Sequence, residues 1–388
     1  MMTRARGLLL RRGEVVTPAG VQSGVDVRVD DGVITHVGPG LSESGAAVID
    51  ARGLLVAPGF LDVHIHGAGG ALCESGDPDQ IEMISRTLAR FGTTGFLATI
   101  ATLAPEALRA AVGAVTAAAG HEPGARIVGI HLEGPYLNPQ CAGAQAIPWM
   151  RAPSLEEFDA LQDLSGGLIK VITVAPELDG ALPFIREVRE RGVVVAAGHS
   201  NATAAEMALA VQAGATHVTH LFNAMRGLHH REPGIIGAAL TDDRLSIELI
   251  CDGHHLGPQA VDVTLRCKPR AKIVLVSDAV ALGLPDGTYE MFGAQCVVAH
   301  GAVRLARGGQ LAGSCLTMDR ALQNLRRWQP GLPLAELLAM ASRTPAAAVG
   351  IGRRHGTIAP GAEADMVLLN AELQVQRTLR AGVQRWPD

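Results

Sequence analysis

Aromatic side chains are scarce in this chain: seven Phe, three Trp and two Tyr among 388 residues. Its core must therefore be built mostly from Ala, Val, Leu and Ile. No apolar run approaches the ~20 residues needed to span a bilayer. The run Leu8–Leu10, flanked by Arg4, Arg6, Arg11 and Arg12, is too short for a signal-peptide core, so a cytoplasmic location is expected. No C-x-x-C pair occurs. The scattered Cys73, Cys141, Cys251, Cys267, Cys296 and Cys315 read as reduced thiols, not as a disulfide frame. Basic excess is also missing: the formal net charge is −5, which argues against a general nucleic-acid binder. What is present is a globular composition, 48% hydrophobic and 18% charged, with 46 glycines to supply short turns. The length suits one large domain plus a small one.

The two ends of the chain read as short strands. Gly7–Gly13, Val25–Val29 and Val33–Val37 cluster β-formers, and Asp30-Asp31-Gly32 signals a hairpin turn. Ala364–Leu369 is an apolar run that follows the turn Ala359-Pro360-Gly361. A small β-sandwich domain built from both termini, residues 1–57 plus 356–388, is expected. Between them, residues 58–355 alternate strand-like and helical stretches. The strand-like runs are Gly59–His64, Thr93–Thr99, Ile127–Leu132, Leu168–Val174, Val193–Ala197, His217–Leu221, Ser246–Cys251 and Lys272–Ser277. Helical stretches include Gln80–Phe91, Pro105–Ala119, Pro183–Arg191, Ala202–Ala213 and Pro258–Cys267. This is the α/β pattern of a TIM-like (β/α)8 barrel, with a doubly wound open sheet as the alternative.

The polar residues favour the barrel. In such a fold the active site lies at the C-terminal strand ends, and almost every strand here ends in His, Asp or Glu. His64 and His66 stand two apart, so both imidazoles lie on one strand face and can meet one ion. Glu133, His199 and His220 can converge on the same axis from strands three, five and six. Imidazole and carboxylate together suit a divalent first-row metal, zinc or iron, and not calcium. Five candidate ligands leave room for one or two ions. Asp278 ends the last strand, where a carboxylate can take the proton of an attacking water and pass it to a leaving amine.

At these residues the chain resembles the amidohydrolase superfamily, and within it the N-acetylglucosamine-6-phosphate deacetylases. The segments that carry the resemblance are HIHG at 64–67, HLEGPYLNP at 131–139, GHSNAT at 198–203 and THLFNAM at 219–225. HHREPGIIGAAL at 229–240, CDGHH at 251–255, SDA at 277–279 and LAGSCLTMDRA at 311–321 continue it, and it covers nearly the whole chain. The resemblance implies hydrolysis of the acetamide of an N-acetyl-amino-sugar 6-phosphate to acetate and free amine. It implies that Glu133, His199 and His220 hold the main metal, with His64 and His66 holding a second ion or completing the first. Asp278 would be the acid and base. Asn223 and Ala224 would meet the sugar or phosphate, and Leu311, Ala312 and Gly313 would line the sugar pocket. Arg231 and His255 would contact the phosphate, Arg231 from the neighbouring subunit of a homodimer.

Two features depart from the family pattern. Gln145, in Gly143-Ala144-Gln145, stands where many members carry a histidine that polarises the acetyl carbonyl. Cys141 and Ala142 stand where basic residues are common. Both bear on which amino sugar is the substrate: a galactosamine isomer or an unphosphorylated sugar is the alternative. A cyclic-amide hydrolase would usually place a metal-bridging lysine on strand four, but Lys170 lies too early in its strand to reach the mouth. A metal-binding sensor without catalysis would be expected to lack a ligand or Asp278, and none is missing.

Overall fold

The computed structural model describes residues 7–387, so Arg4 and Arg6 lie outside the described residues. The middle of the chain forms eight parallel strands: β1 (Phe60–Ile65), β2 (Thr93–Ile100), β3 (Arg126–Glu133), β4 (Ile169–Val174), β5 (Val194–Ala197), β6 (His217–Val218), β7 (Ser246–Leu249) and β8 (Ile273–Leu275). Each pairs with its neighbour in sequence. Every residue of β2 is buried, as expected for parallel strands covered on both faces, which read as continuous apolar runs. Past β8 the chain bonds back to β1. Asp278 N donates to His64 O at 2.8 Å, and His66 N donates to Ala279 O at 2.9 Å. These bonds close the ring as a (β/α)8 barrel.

Helices pack outside the barrel for reasons visible in their residues. Helix Pro78–Ala89 starts with Asp77 capping Asp79 N and a proline in its first turn. It buries Ile81, Ile84, Ser85 and Leu88, the i, i+3, i+4, i+7 stripe of an amphipathic helix. Helix Ala204–Ala213 opens with a capping box in which Thr203 and Glu206 bond each other's backbone N–H. Thr203→Ala is expected to cost about 1 kcal/mol, seen as a lower urea midpoint. This side chain does not line the cavity, so kcat should be unchanged.

Two further sheets lie outside the barrel, the first from the N-terminal segment alone and the second from both ends of the chain. One joins Gly7–Arg11, Asp26–Asp30, Val33–Gly38 and Ala46–Asp50. The other places Leu55–Pro58 beside Met366–Leu369. Leu8, Leu10, Val27, Val29 and Ile34 share one apolar cluster with Ile358, Met366, Leu368 and Leu379. This is the β-sandwich built from both ends. Asp31 and Gly32 both have positive φ, 50° and 79°, between the paired Asp30 and Val33, the two-residue turn that matches strand twist. Within the β-forming run Gly7–Gly13 the strand is Gly7–Arg11, followed by a turn at Arg12 with φ 65°.

Between β8 and the final helices lies a four-stranded antiparallel sheet that the sequence reading missed: β9 (Gly287–Met291), β10 (Ala294–Ala299), β11 (Ala302–Leu305) and β12 (Leu311–Ser314). Its inner side packs Met291, Cys296, Val298, Val303 and Ala312 with Val280 and Ala281. Ser314 N donates to Asp278 O at 2.8 Å, which fixes the sheet against the barrel mouth.

Candidate active site

The strand ends converge on Glu133, the last residue of β3 and 3% exposed. Its Oε1 lies 3.0 Å from His199 Nε2 and 2.9 Å from His220 Nε2. These two imidazole nitrogens stand only 3.1 Å apart. On the other side, His64 Nε2 is 3.5 Å from Glu133 Oε1, and His66 Nε2 is 3.3 Å from Glu133 Oε2. One carboxylate thus faces two pairs of imidazoles. Asp278 Oδ1 lies 3.5 Å from both His64 Nε2 and His66 Nε2.

The backbone is strained where it presents these groups. His199, His220 and Asp278 have φ of 47°, 26° and 49°. Left-handed backbone is unfavourable for side-chain-bearing residues, and such strain concentrates at functional sites. Here it turns the chain sharply as each strand leaves the barrel.

Three of the four imidazoles are oriented by their second nitrogen, while His220 Nδ1 is buried without a hydrogen-bond partner. His64 Nδ1 meets Glu248 Oε2 at 2.8 Å, and His66 Nδ1 meets Glu74 Oε1 at 2.8 Å. His199 Nδ1 meets the carbonyl of Cys141 at 2.9 Å. A carboxylate or carbonyl behind a histidine fixes its tautomer and raises its basicity as a ligand. Glu248 also accepts from His217 and from His220 N, each at 3.0 Å. Glu74, Glu248 and His217 were not singled out in the sequence. They belong to a short turn-like helix (Cys73–Ser75), to a strand interior and to a strand start, so no strand-end pattern points to them.

The electrostatics follow. Burial works against protonation of His64, but Glu248, Asp278 and Glu133 outweigh it and lift its pKa to about 9. Burial also opposes charge on His66, yet Glu74 and Glu133 raise its pKa well above the usual range. Glu133 sits well below the usual carboxylate range, because His199 and His64 outweigh its burial. The site holds buried carboxylates that demand positive charge. The donor set fits a divalent first-row cation: His64 Nε2 is buried without a hydrogen-bond partner, and the His199 and His220 nitrogens face each other across a carboxylate oxygen. Two three-ligand groupings qualify, His64–His66–Glu133 and Glu133–His199–His220. A third, His64–His131–Glu248, fits poorly. His131 spends Nδ1 on Val63 O at 3.2 Å and Nε2 on the Thr173 hydroxyl at 2.8 Å. Burial and the nearby His64 push its pKa down to about 3, so it stays neutral.

A cavity of about 390 Å³ opens over these side chains. Asn223, Ala224, His255, Leu311, Ala312, Gly313, Ala144 and Gln145 line it, as do Val280, Phe292, Arg304 and Gln310, which the sequence reading did not include. Gly313 has φ 68°, and a Cβ there would sit 2.6 Å from Val280 Cγ1, so only glycine fits. Gln145 donates from Nε2 to Glu133 Oε2 and accepts from Thr102 N at 2.7 Å. His255 Nδ1 is held by Asp252 at 2.7 Å. Arg231 does not line the cavity: it is exposed, with Nη1 2.8 Å from His230 Nε2. Lys170 bonds Gly167 O at 3.0 Å, at the strand end away from the ligands. All six cysteines are unpaired.

A (β/α)8 barrel with buried His/Glu ligand groups at its mouth and a carboxylate beside them defines a metal-dependent hydrolase. The Amidohydrolase family model matches residues 55–384, and the chain belongs to that family. Within it, the chain is 37% identical to the N-acetylglucosamine-6-phosphate deacetylase of Bacillus subtilis (strain 168), covering 97% of each. It is also 37% identical to the N-acetylgalactosamine-6-phosphate deacetylase of Escherichia coli O157:H7, covering 95% of this chain and 97% of that one. Among solved structures, a mutant N-acetyl-D-glucosamine-6-phosphate deacetylase from Mycobacterium smegmatis in complex with N-acetyl-D-glucosamine-6-phosphate superposes with TM-score 0.91. It is 33% identical, and the match covers 98% of this chain and 99% of that one.

Proposed function

We propose that the protein hydrolyses the acetamide of N-acetyl-D-glucosamine 6-phosphate to D-glucosamine 6-phosphate and acetate. The observation that carries this reading is Glu133 set between two imidazole pairs, with Asp278 3.5 Å from His64 and His66. Glu133, His199 and His220 would hold one ion, and His64, His66 and Glu133 a second, zinc or iron by the nitrogen and oxygen donors. A bound cation supplies Lewis acidity toward the acetamide carbonyl and the attacking water.

The remaining work falls to the protein. Asp278 takes the proton of the water as it attacks, then delivers it to the amine nitrogen as the C–N bond breaks. Gln145, through its bond to Glu133, fixes that carboxylate and has no charge of its own to offer the carbonyl. Val280, Phe292 and Ala312 give the acetyl methyl an apolar wall, while Asn223 and Ala224 meet the sugar phosphate. His255, braced by Asp252, faces the phosphate. Arg231, exposed outside the cavity of its own chain, would serve the neighbouring site of a homodimer.

Dialysis against a chelator is expected to lower acetate release by at least ~100-fold, and zinc or ferrous ion to restore it. Metal analysis should find up to two ions per chain. Purified, metal-loaded protein that releases no acetate from N-acetylglucosamine 6-phosphate would sink the assignment. The equal identity to the Escherichia coli relative favours the galactosamine isomer as a second reading. Comparing kcat/KM for the two epimers separates them.

A further inference from the structure

Among the described residues the cavity is lined by one Lys or Arg side chain, Arg304. It comes from β11, in the inserted sheet, and not from the barrel. The neighbouring Val303 is fully buried in the sheet's inner cluster, so alternation along the strand sends Arg304 to the opposite side. There it pairs in register with Leu311 of β12, which also lines the cavity. Its Nη1 donates to Gly309 O at 2.9 Å. Arg304 is exposed, and among the described residues no carboxylate pairs with it, so the rest of the guanidinium fork is open to solvent and to an arriving anion. The turn just before β11 packs on the loop that carries His255: a Cβ on Gly301 would lie 3.7 Å from His254 Nε2. The inserted sheet and the 251–255 loop therefore meet at the same rim.

We propose that Arg304 is a specificity residue: a guanidinium supplied within the same chain that binds the 6-phosphate of the substrate together with His255. A phosphate dianion is matched by a guanidinium fork whose donors are free, and the Gly309 carbonyl holds this one in place. The guanidinium that meets the phosphate then need not be borrowed from another subunit. The inference rests on the amino-sugar phosphate reading above and gives the inserted sheet a role in it.

The test compares wild type, Arg304→Ala and Arg304→Lys, all metal-loaded, on N-acetylglucosamine 6-phosphate and on unphosphorylated N-acetylglucosamine. Titration calorimetry with glucosamine 6-phosphate and with glucosamine runs beside it. In Arg304→Ala the KM for the phosphorylated sugar is expected to rise about 10- to 100-fold, with kcat within about threefold. Affinity for glucosamine 6-phosphate should fall in parallel, Arg304→Lys should recover part of it, and turnover of the unphosphorylated sugar should not change. An unchanged KM, or an equal loss on both sugars as from a slackened β11–β12 turn, would overturn the inference and leave the deacetylase reading intact. A wild-type enzyme with no preference for the phosphorylated sugar would instead remove the reading on which it rests.

Discussion

Exchanging Glu133 for glutamine is expected to empty the site of metal and to lower kcat/KM by at least ~10³-fold. The geometry makes this the most damaging single change among the ligands. Oε1 faces His199 and His220 at 3.0 and 2.9 Å, and Oε2 faces His66 at 3.3 Å. Loss of the charge therefore weakens both ligand groups at once. An amide keeps the shape but offers one oxygen, and its nitrogen would point donors at cations or at imidazole nitrogens. The contrast with His64→Asn is informative, since His64 belongs to only one of the two groups. That variant should keep the ion held by Glu133, His199 and His220. Metal content per chain, measured beside circular dichroism to show that the fold survives, checks both. A Glu133→Gln protein with its full metal content and normal kcat would refute the bridging role.

The barrel and the clustering of polar groups at its mouth were legible because parallel strands buried on both faces leave long apolar runs, and because the active end of each strand is its C-terminus. His64, Glu133, His199, His220 and Asp278 all stand at such ends. The supporting carboxylates were not legible. Glu248 lies within β7, at a position where a pattern reader expects an apolar residue, and it is tolerated there only because His64, His217 and His220 N satisfy it. Glu74 sits in a three-residue helix with no periodicity to mark it. The inserted sheet was missed for a different reason. Its strands alternate buried and exposed residues, but they follow the last barrel strand, where the (β/α)8 count is already complete. Arg304 was missed with it.

Glu74 and Glu248 also explain how the HIHG segment could offer a pair of ligands. Adjacent alternate residues put both rings on one side, but they do not choose a tautomer. With Nδ1 of each ring tied to a carboxylate, Nε2 is left to face Glu133 and Asp278. Breaking one tie, by Glu248→Gln, is expected to lower metal affinity about 10- to 100-fold without unfolding the barrel.

Asp278→Asn is expected to lower kcat by about 10²- to 10⁴-fold while leaving metal content and KM near wild type. The substitution isolates the proton-transfer role unusually well. The residue's structural bonds are made by its backbone, Asp278 N to His64 O and Ser314 N to Asp278 O, each 2.8 Å, and they survive any side-chain change. Its φ of 49° lies in the left-handed region, which Asn adopts more readily than almost any other residue. Neither the barrel closure nor the anchoring of β12 should move. What changes is the ability to accept a proton from water and return it to the amine. Rate and metal content together separate the two roles open to this carboxylate. Loss of kcat with metal retained assigns Asp278 the proton transfer. Loss of metal in step with activity would make it a ligand, and a kcat within tenfold of wild type would remove it from the chemistry.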